Sequence, residues 1–363
     1  MTNDTVKRII FYISGHGWGH AVRSLEVIKA LVKEYPSLKI FIRTSAPEWL
    51  FNSSLNKEYS YELINLDVGA VQQTSFWIDK DETLHQWIKI EEKWEEIFSK
   101  EINFIKKEKV DLIFGDIPPP AFRIAQRAAL PSIGMGNFGW DWIYESWVSE
   151  KPEFREVAKT ISDDYSKASL LLRLPMHGPM KAFQNVEDIP LVARKAKEDR
   201  IEVRKKIGVN NEDKVVLLAL PQWDKELIPW SSLREMDNIF FLSPFPESRY
   251  ERVFTFPREG ITFPDLVAGS DLVLSKPGYG IVAECYANHT PLLYVLRNDF
   301  PECDILVQWM KDNMASKLLP IEDFLSGNWE PHIEQFFSEN HKWRYLPTNG
   351  GEIAANRLIQ FLE

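Results

Sequence analysis

The sequence predicts an α/β protein made of two parallel-sheet halves facing each other across a cleft. Three observations carry that expectation. The chain has 363 residues, enough for about two domains at roughly 150 residues each. The order strand, glycine-bearing loop, helix, strand occurs near the N-terminus and returns in the second half, which is the signature of parallel α/β units. No Gly/Ser-rich linker separates the two series, so the halves are expected to pack face to face.

The elements follow in order. Lys7 to Ser14 reads as a short buried strand, and a Gly/His loop runs from Gly15 to His20. The next helix carries Val22, Leu25, Ile28 and Val32 on one stripe at helical spacing, and Lys39 to Arg43 is the second strand. One long helix is expected around Trp87 to Lys107, with Trp87, Ile90, Trp94, Ile97, Phe98 and Ile105 as a packing stripe. Val110 to Phe114 is a strand ending in Gly115-Asp116. Pro118-Pro119-Pro120 opens a helix, and Pro131 to Met135 returns as a strand. A charged, helix-prone stretch, Arg194 to Lys206, precedes the second series. There Val215 to Leu220, Ile239 to Leu242 and Asp271 to Leu274 read as strands. Ser275 to Gly280 is a turn leading into a helix, and Pro291 to Leu296 is the strand after it. Glu352 to Leu362 reads as a closing helix. Residues 1–190 are expected to form the first domain, with helix 350–363 packing back on it, and residues 191–349 the second.

Composition narrows the function. The chain is 44% hydrophobic and 26% charged, which is globular and excludes dominant disorder. Its net charge of −10 argues against nucleic acid, whose binding is mostly neutralisation by Lys and Arg. One small anion in a local pocket stays compatible with that charge. The 2 cysteines, Cys285 and Cys303, form no CxxC pair, so neither a disulfide framework nor a structural metal site is expected. Met1 to Lys7 is polar, and Ile9 to Ile13 is too short for a signal-peptide core. No apolar stretch reaches the roughly 18 residues of a spanning helix. A cytoplasmic protein without a transmembrane segment is expected.

Two loops are candidates for chemistry, because open parallel sheets bind ligands beyond the carboxyl ends of their strands. Gly15-His16-Gly17-Trp18-Gly19-His20 has alternate glycines that admit a close backbone approach. Its spacing is not GxGxxG, and the second strand ends in Arg43-Thr44-Ser45 without the ribose-binding acid, so an NAD site fails twice. His20 falls at the start of the following helix, where a neutral imidazole can serve as general base. The alternative is that His16 or His20 only bonds the turn. In the second loop, Ser275 to Glu284, the helix start near Gly278 is a phosphate cradle. Lys276 adds a point charge there, and Glu284 is placed to reach ribose hydroxyls. A plain βα turn with a solvated Glu would look the same. Arg297, Asp299, Glu302 and Asp304 follow the next strand and can hold sugar hydroxyls. Asn137 to Asp141 combines aromatics with an acid after a first-half strand. Asp116 or Asp141 can orient a base, or simply cap a helix or turn.

These residues resemble the GT-B glycosyltransferases. The run SKPGYGIVAE, Ser275 to Glu284, is similar to the donor-binding segment of the N-acetylglucosaminyltransferases that act on lipid I. In that family the glycine turn and helix start hold the diphosphate and a helical Glu binds the ribose, positions matched by Gly278 and Glu284. Ile281 departs from the Thr usual there. A second resemblance covers most of the chain and is to the N-terminal glycosyltransferase-like half of plant L-arabinokinases. It runs through GHGWGHAVRSLEVIKAL (Gly15 to Leu31), DVGAVQ (Asp67 to Gln72), NFGWDWIY (Asn137 to Tyr144), LRLP (Leu172 to Pro175), PMKAF (Pro179 to Phe183), DIPLV (Asp188 to Val192) and KPGYGIVAE (Lys276 to Glu284). No residues match the kinase half of those proteins, so kinase activity is not expected. Relatives carry a glycine pair before Gln222, where this chain has Leu220-Pro221.

The resemblance implies two Rossmann-like domains and a metal-independent hexosyltransferase that takes a nucleotide sugar, a UDP-sugar, as substrate, with no cofactor. Donor groups would be Ser275, Lys276, Gly278, Gly280, Glu284, Arg297, Asp299, Glu302 and Gln222. His20 would take the acceptor proton, with Asp116 or Asp141 beside it. A sugar or glycoside acceptor would enter near Gly15, His16, Gly17, Gly19, Asn137, Trp140 and Trp142. Two other readings stay open: a non-catalytic sugar- or nucleotide-binding module that regulates a partner, and a sugar-nucleotide epimerase.

Overall fold

Uninterrupted apolar runs make strands whose two faces are both covered, the condition of a parallel sheet. Ile9 to Tyr12 and Leu112 to Phe114 are buried without exception. The computed structural model describes residues 6–233, 235–236, 238–245, 253–255, 260–339 and 341–363. The polar run expected at the N-terminus lies, through residue 5, outside them. The chain divides into two units. Unit 1 is Met1–Val71, Asp79–Ala193 and Leu346–Glu363, and unit 2 is Gln72–Ile78 with Arg194–Tyr345.

Unit 1 runs β1 (Arg8–Ile13), α1 (Gly19–Glu34), β2 (Lys39–Thr44), α2 (Trp49–Asn52), β3 (Ser60–Leu63), α3 (Lys80–Glu91), α4 (Trp94–Glu108), β4 (Leu112–Asp116), α5 (Pro120–Arg127), β5 (Ser132–Gly136), α6 (Trp140–Glu145), α7 (Phe154–Tyr165), β6 (Leu170–Arg173) and β7 (Val186–Asp188). Its seven strands are ordered β3-β2-β1-β4-β5-β6-β7, and every pair is parallel. Val22, Leu25, Val27, Ile28 and Leu31 bury one face of α1.

Unit 2 runs α8 (Arg200–Ile207), β8 (Lys214–Leu218), a 3-10 turn (Gln222–Leu227), α9 (Trp230–Leu233), β9 (Ile239–Ser243), β10 (Val253–Thr255), α10 (Phe263–Gly269), β11 (Leu272–Ser275), α11 (Tyr279–Ala287), β12 (Leu292–Tyr294), α12 (Glu302–Asn313), β13 (Ser316–Leu318), α13 (Ile321–Ser326) and α14 (Glu330–Ser338). Its sheet is ordered β10-β9-β8-β11-β12-β13, again all parallel. The closing helix α15 (Gly350–Leu362) belongs to unit 1 and packs along α1. Among the described residues no helix is long and apolar enough to cross a membrane.

Three features differ from expectation. The long helix at 87–107 is two helices, α3 and α4, broken at Glu92-Lys93. Trp87 and Trp94 meet edge to face at 5.2 Å across the break, so the apolar stripe continues through it and periodicity alone does not mark it. The edge strands β3 and β7, and β6 beside β7, are added to unit 1. They are only three or four residues long, and the exposed side chains of β3 and β7 give no apolar run. Residues 72–78, inside the expected first domain, fold with unit 2. Phe76 enters that unit's core and meets Phe324 at 5.2 Å, and the Ser75 amide donates to Asp224 at 2.9 Å. These contacts span long stretches of chain, which local patterning does not record.

Arg204 ties unit 2 together. Its buried guanidinium donates to the carbonyls of Gly269, Asn210, Asn211 and Asp213 and to the Asp271 carboxylate. Asp271 Oδ2 also accepts from the Val215 amide. Arg204→Met removes the charge and leaves these acceptors without their donor. It should destabilise the protein by about 3–5 kcal/mol, measured as a fall in ΔG by chemical denaturation.

Candidate functional site

Both sheets reverse their strand order once, in unit 1 between β1 and β4 and in unit 2 between β8 and β11. At such a point consecutive loops leave for opposite faces and open a crevice beyond the strand ends. The polar residues singled out in the sequence gather at these two places.

In unit 1 the centre is Asp116, the last residue of β4 and fully buried. His20 Nδ1 lies 2.8 Å from its Oδ1. Arg23 Nε and Nη2 donate to the same carboxylate at 2.8 and 2.5 Å, and Ser24 Oγ donates at 2.8 Å. His20, Arg23 and Ser24 stand at i, i+3 and i+4 in the first turns of α1, hence on one face. Arg23 Nη1 also donates to Asn137 Oδ1 at 3.0 Å. Burial pushes the Asp116 carboxyl up, but the charge and hydrogen bonds of Arg23, then of His20, outweigh it and hold it below the usual carboxylate range. A carboxylate on Nδ1 selects the imidazole with Nδ1 protonated, which leaves Nε2 as a lone-pair acceptor. No described residue bonds Nε2.

A second pair stands beside it. His16 Nε2 lies 3.2 Å from Asp67 Oδ1, and Ser14 Oγ donates to Oδ2. Burial again raises Asp67, while the charge and hydrogen bond of His16, then Ser14 and His20, bring it below its ordinary value. Gly69, at φ +64°, is required here because a Cβ would stand 2.3 Å from the His16 ring. Its carbonyl accepts from Tyr144 Oη. Gly17, at φ +65°, makes the turn before α1 with open space where its Cβ would project. Gly15 lies against Ser45, and Gly19 opens α1.

Other residues expected here are placed differently. Trp140 is buried, packed edge to face on Phe138 at 4.9 Å and on His16 at 5.8 Å, so it offers no stacking face to an acceptor. Asp141 does not join His20. With Trp142 it lines a shallow hollow of about 420 Å³ with Arg155, Lys159 and Lys181. Burial, with help from Glu145 and against the amides of Trp142 and Asp141, lifts its carboxyl to about 6.

In unit 2, α11 begins beyond Gly278 with no side-chain cap, and a helix N-terminus favours an anion. Gly278 has open space where a Cβ would stand, and Gly280 lies in the first turn. Lys276 Nζ donates to Gln72 at 3.0 Å. Burial, then the Arg297 charge, brings Lys276 down to about 7, opposed by Cys303, Asp224 and Glu302. Arg297 lies over the Phe300 ring at 3.7 Å. Its Nε and Nη2 are buried with no hydrogen-bond partner among the described residues, and burial lowers its proton affinity. Glu302 is buried at the start of α12, whereas Asp299 and Gln222 are exposed. Ser275 Oγ is spent on the Ala219 carbonyl at 2.7 Å. Glu284 is buried and ion-paired with Arg194 Nε, so it is not a bare carboxylate awaiting a ribose. Among the described residues no three His, Cys, Asp or Glu side chains converge as metal ligands do.

Sequence reasoning missed Arg23, Ser24, Asp67, Gln72 and Arg194. The HxxRS spacing was a usable signal for the first two. Gln72 and Arg194 reach their partners, Lys276 and Glu284, across 204 and 90 residues, and no local signal marks them.

The two Rossmann-like parallel sheets define the GT-B fold. Residues 7–167 match the family model Glycosyl transferase family 1. An L-arabinokinase of Arabidopsis thaliana is 31% identical over 363 residues, covering 97% of this chain and 34% of that protein. The chain thus spans about a third of the length of that curated relative. A UDP-glucosyltransferase from Polygonum tinctorium capable of glucosylating indoxyl is similar at a TM-score of 0.65 and 11% identity, covering 99% of this chain and 94% of that one. Acinetobacter baumannii MurG gives 0.55 at 11% identity, covering 98% and 99%. The similarity to these structures shows the GT-B fold, and residues 7–167 resemble glycosyl transferase family 1.

The carboxyls give two tests with opposite signs. Asp67 ionises more readily in the folded than in the unfolded chain. Its stabilisation is therefore complete above the unfolded value of about 4 and is lost as pH falls through the lower folded value. Thermal melts from pH 2.5 to 7 should show a shallower acid fall for Asp67→Asn than for wild type. Asp141, lifted to about 6, favours the folded state when protonated. Its contribution is present below about 4 and is lost as pH rises through 6. Asp141→Asn should raise the melting midpoint by a few degrees more at pH 7.5 than at pH 4.5.

Proposed function

We propose that this protein transfers a hexosyl group from a nucleotide sugar, a UDP-sugar, to a hydroxyl of a sugar or glycoside acceptor, without a metal ion. The observation that carries it is His20, oriented through Nδ1 by Asp116 at the switch point of unit 1, with no described residue bonding Nε2. Nε2 takes the acceptor's hydroxyl proton as that oxygen bonds to the anomeric carbon. The bond from that carbon to the diphosphate oxygen breaks, and its electron pair leaves with the nucleoside diphosphate. Unit 2 holds the donor. The first amides of α11 and Arg297 are fixed positive groups for the two phosphates, and fixed groups stabilise a leaving anion without reorganising; Lys276 joins them on taking up a proton. Two buried Arg297 donors that lack partners support this assignment, because they carry a desolvation cost that an anion removes. In the same reading Glu284, ion-paired with Arg194, faces the ribose. The UDP preference rests on the similarity to the Polygonum enzyme.

Thermal-shift titrations with UDP, GDP, ADP and TDP, without added metal, test the donor half. Ligand at 100 times its Kd stabilises by about 2.7 kcal/mol. A saturable shift with UDP that disappears in Arg297→Met is expected. His20→Ala should keep the shift and lose about 10²–10⁴-fold in transfer rate. No shift with any nucleotide in the folded protein would favour the sugar-binding regulatory module instead. Because Lys276 titrates near 7, an anion beside it should draw in a proton. Calorimetry at pH 8 in buffers of different ionisation enthalpy should show proton uptake on UDP binding, absent in Lys276→Met.

A further inference from the structure

The Asp116 carboxylate has about four acceptor positions, and all are taken. Oδ1 faces His20 Nδ1 at 2.8 Å and Arg23 Nη2 at 2.5 Å, and Oδ2 receives Arg23 Nε and Ser24 Oγ, each at 2.8 Å. His20 Nδ1 thereby sits between an acceptor, Asp116 Oδ1, and a donor, Arg23 Nη2 at 3.0 Å. A ring nitrogen satisfies only one of them. With Nδ1 protonated it donates to a carboxylate, a charge-assisted bond about twice as strong as a neutral one. With Nδ1 bare, its lone pair would face the carboxylate oxygen, and Nε2 would carry the proton and cease to be a base. The shorter contact to Oδ1, and the engagement of Nη2 with that same oxygen, favour the first arrangement.

We infer that Arg23 is the positioning residue of this site: it pairs with Asp116 and locks the plane of its carboxylate, so that His20 keeps its proton on Nδ1 and presents Nε2 as its lone-pair atom. This rests on the assignment of His20 as the base. The physical argument is one of charge. A lone carboxylate beside an imidazole favours imidazolium, which cannot accept a proton. A carboxylate already paired with a guanidinium exerts far less pull, while still accepting the Nδ1 hydrogen bond. In the buried setting of Asp116 and Arg23 little water screens this difference. The other groups around His20 do not do the same work. Asp67, beyond the β3 end, is itself paired with His16 and Ser14. Phe138, beyond β5, presents only a ring edge-on at 6.2 Å. Asn137 is uncharged and accepts from Arg23.

The test uses the full chain and nitrogen-15 NMR of its histidines from pH 5 to 9, with His20 assigned by the signal lost in His20→Gln. Wild type should show Nδ1 protonated and Nε2 bare at neutral pH. In Arg23→Met, with Asp116 left unpaired, the His20 signals should titrate with at least tenfold higher proton affinity. A folded Arg23→Met whose His20 titrates within twofold of wild type overturns the inference. If Arg23→Met does not fold, Arg23→Gln, which keeps a hydrogen-bond donor without the charge, decides by the same readout. That readout needs no substrate. An absence of sugar transfer would therefore count against the proposed activity and leave the Arg23 result standing.

Discussion

Parallel pairing with both faces covered is the constraint on which everything else depends. Strands such as Ile9–Tyr12 and Leu272–Leu274 have no solvated face, so functional polar groups cannot alternate along them. They are pushed to the carboxyl ends, and the sheet opens there only where the strand order reverses. Asp116 at the end of β4 and Lys276 just past β11 stand at those two openings. Polar groups gather there because the strands exclude them elsewhere.

The two openings are electrostatically opposite. In unit 1 the buried charges are matched: Asp116 is saturated by His20, Arg23 and Ser24, and Asp67 is held by His16 and Ser14. A fully bonded network of this kind is rigid and has one arrangement. In unit 2 the balance is left open, with Arg297 donors unpartnered among the described residues and Lys276 lowered by burial and by Arg297. Buried cations with unspent hydrogens are costly unless an anion arrives. One opening holds its histidine and carboxylate in a single bonded arrangement, and the other leaves buried donors unmatched among the described residues.

Legibility followed the range of the interactions. The strands β1, β2, β4, β5, β8, β9 and β11 were readable from apolar runs, and α1 from its stripe. The break at Glu92-Lys93 was not, because Trp87 and Trp94 keep their packing through it. His20 and Asp116 were readable as candidates, but their pairing was not, since 96 residues lie between them. Trp140 and Asp141 carried the same apparent promise as His20. Burial of one and the displacement of the other to a separate hollow set them apart.

By itself the sequence determined the class of architecture, two parallel α/β series, because strand and helix periodicities and glycine turns are local properties. It also placed the candidate loops, since these directly follow the strands. Only the tertiary structure decided the pairing of His20 with Asp116, the pairing of Glu284 with Arg194, and the membership of residues 72–78 in unit 2. The reason is physical. A hydrogen bond or a buried ion pair depends on atoms brought within about 3 Å, and the chain neighbours of a residue do not reveal which distant side chain will stand there.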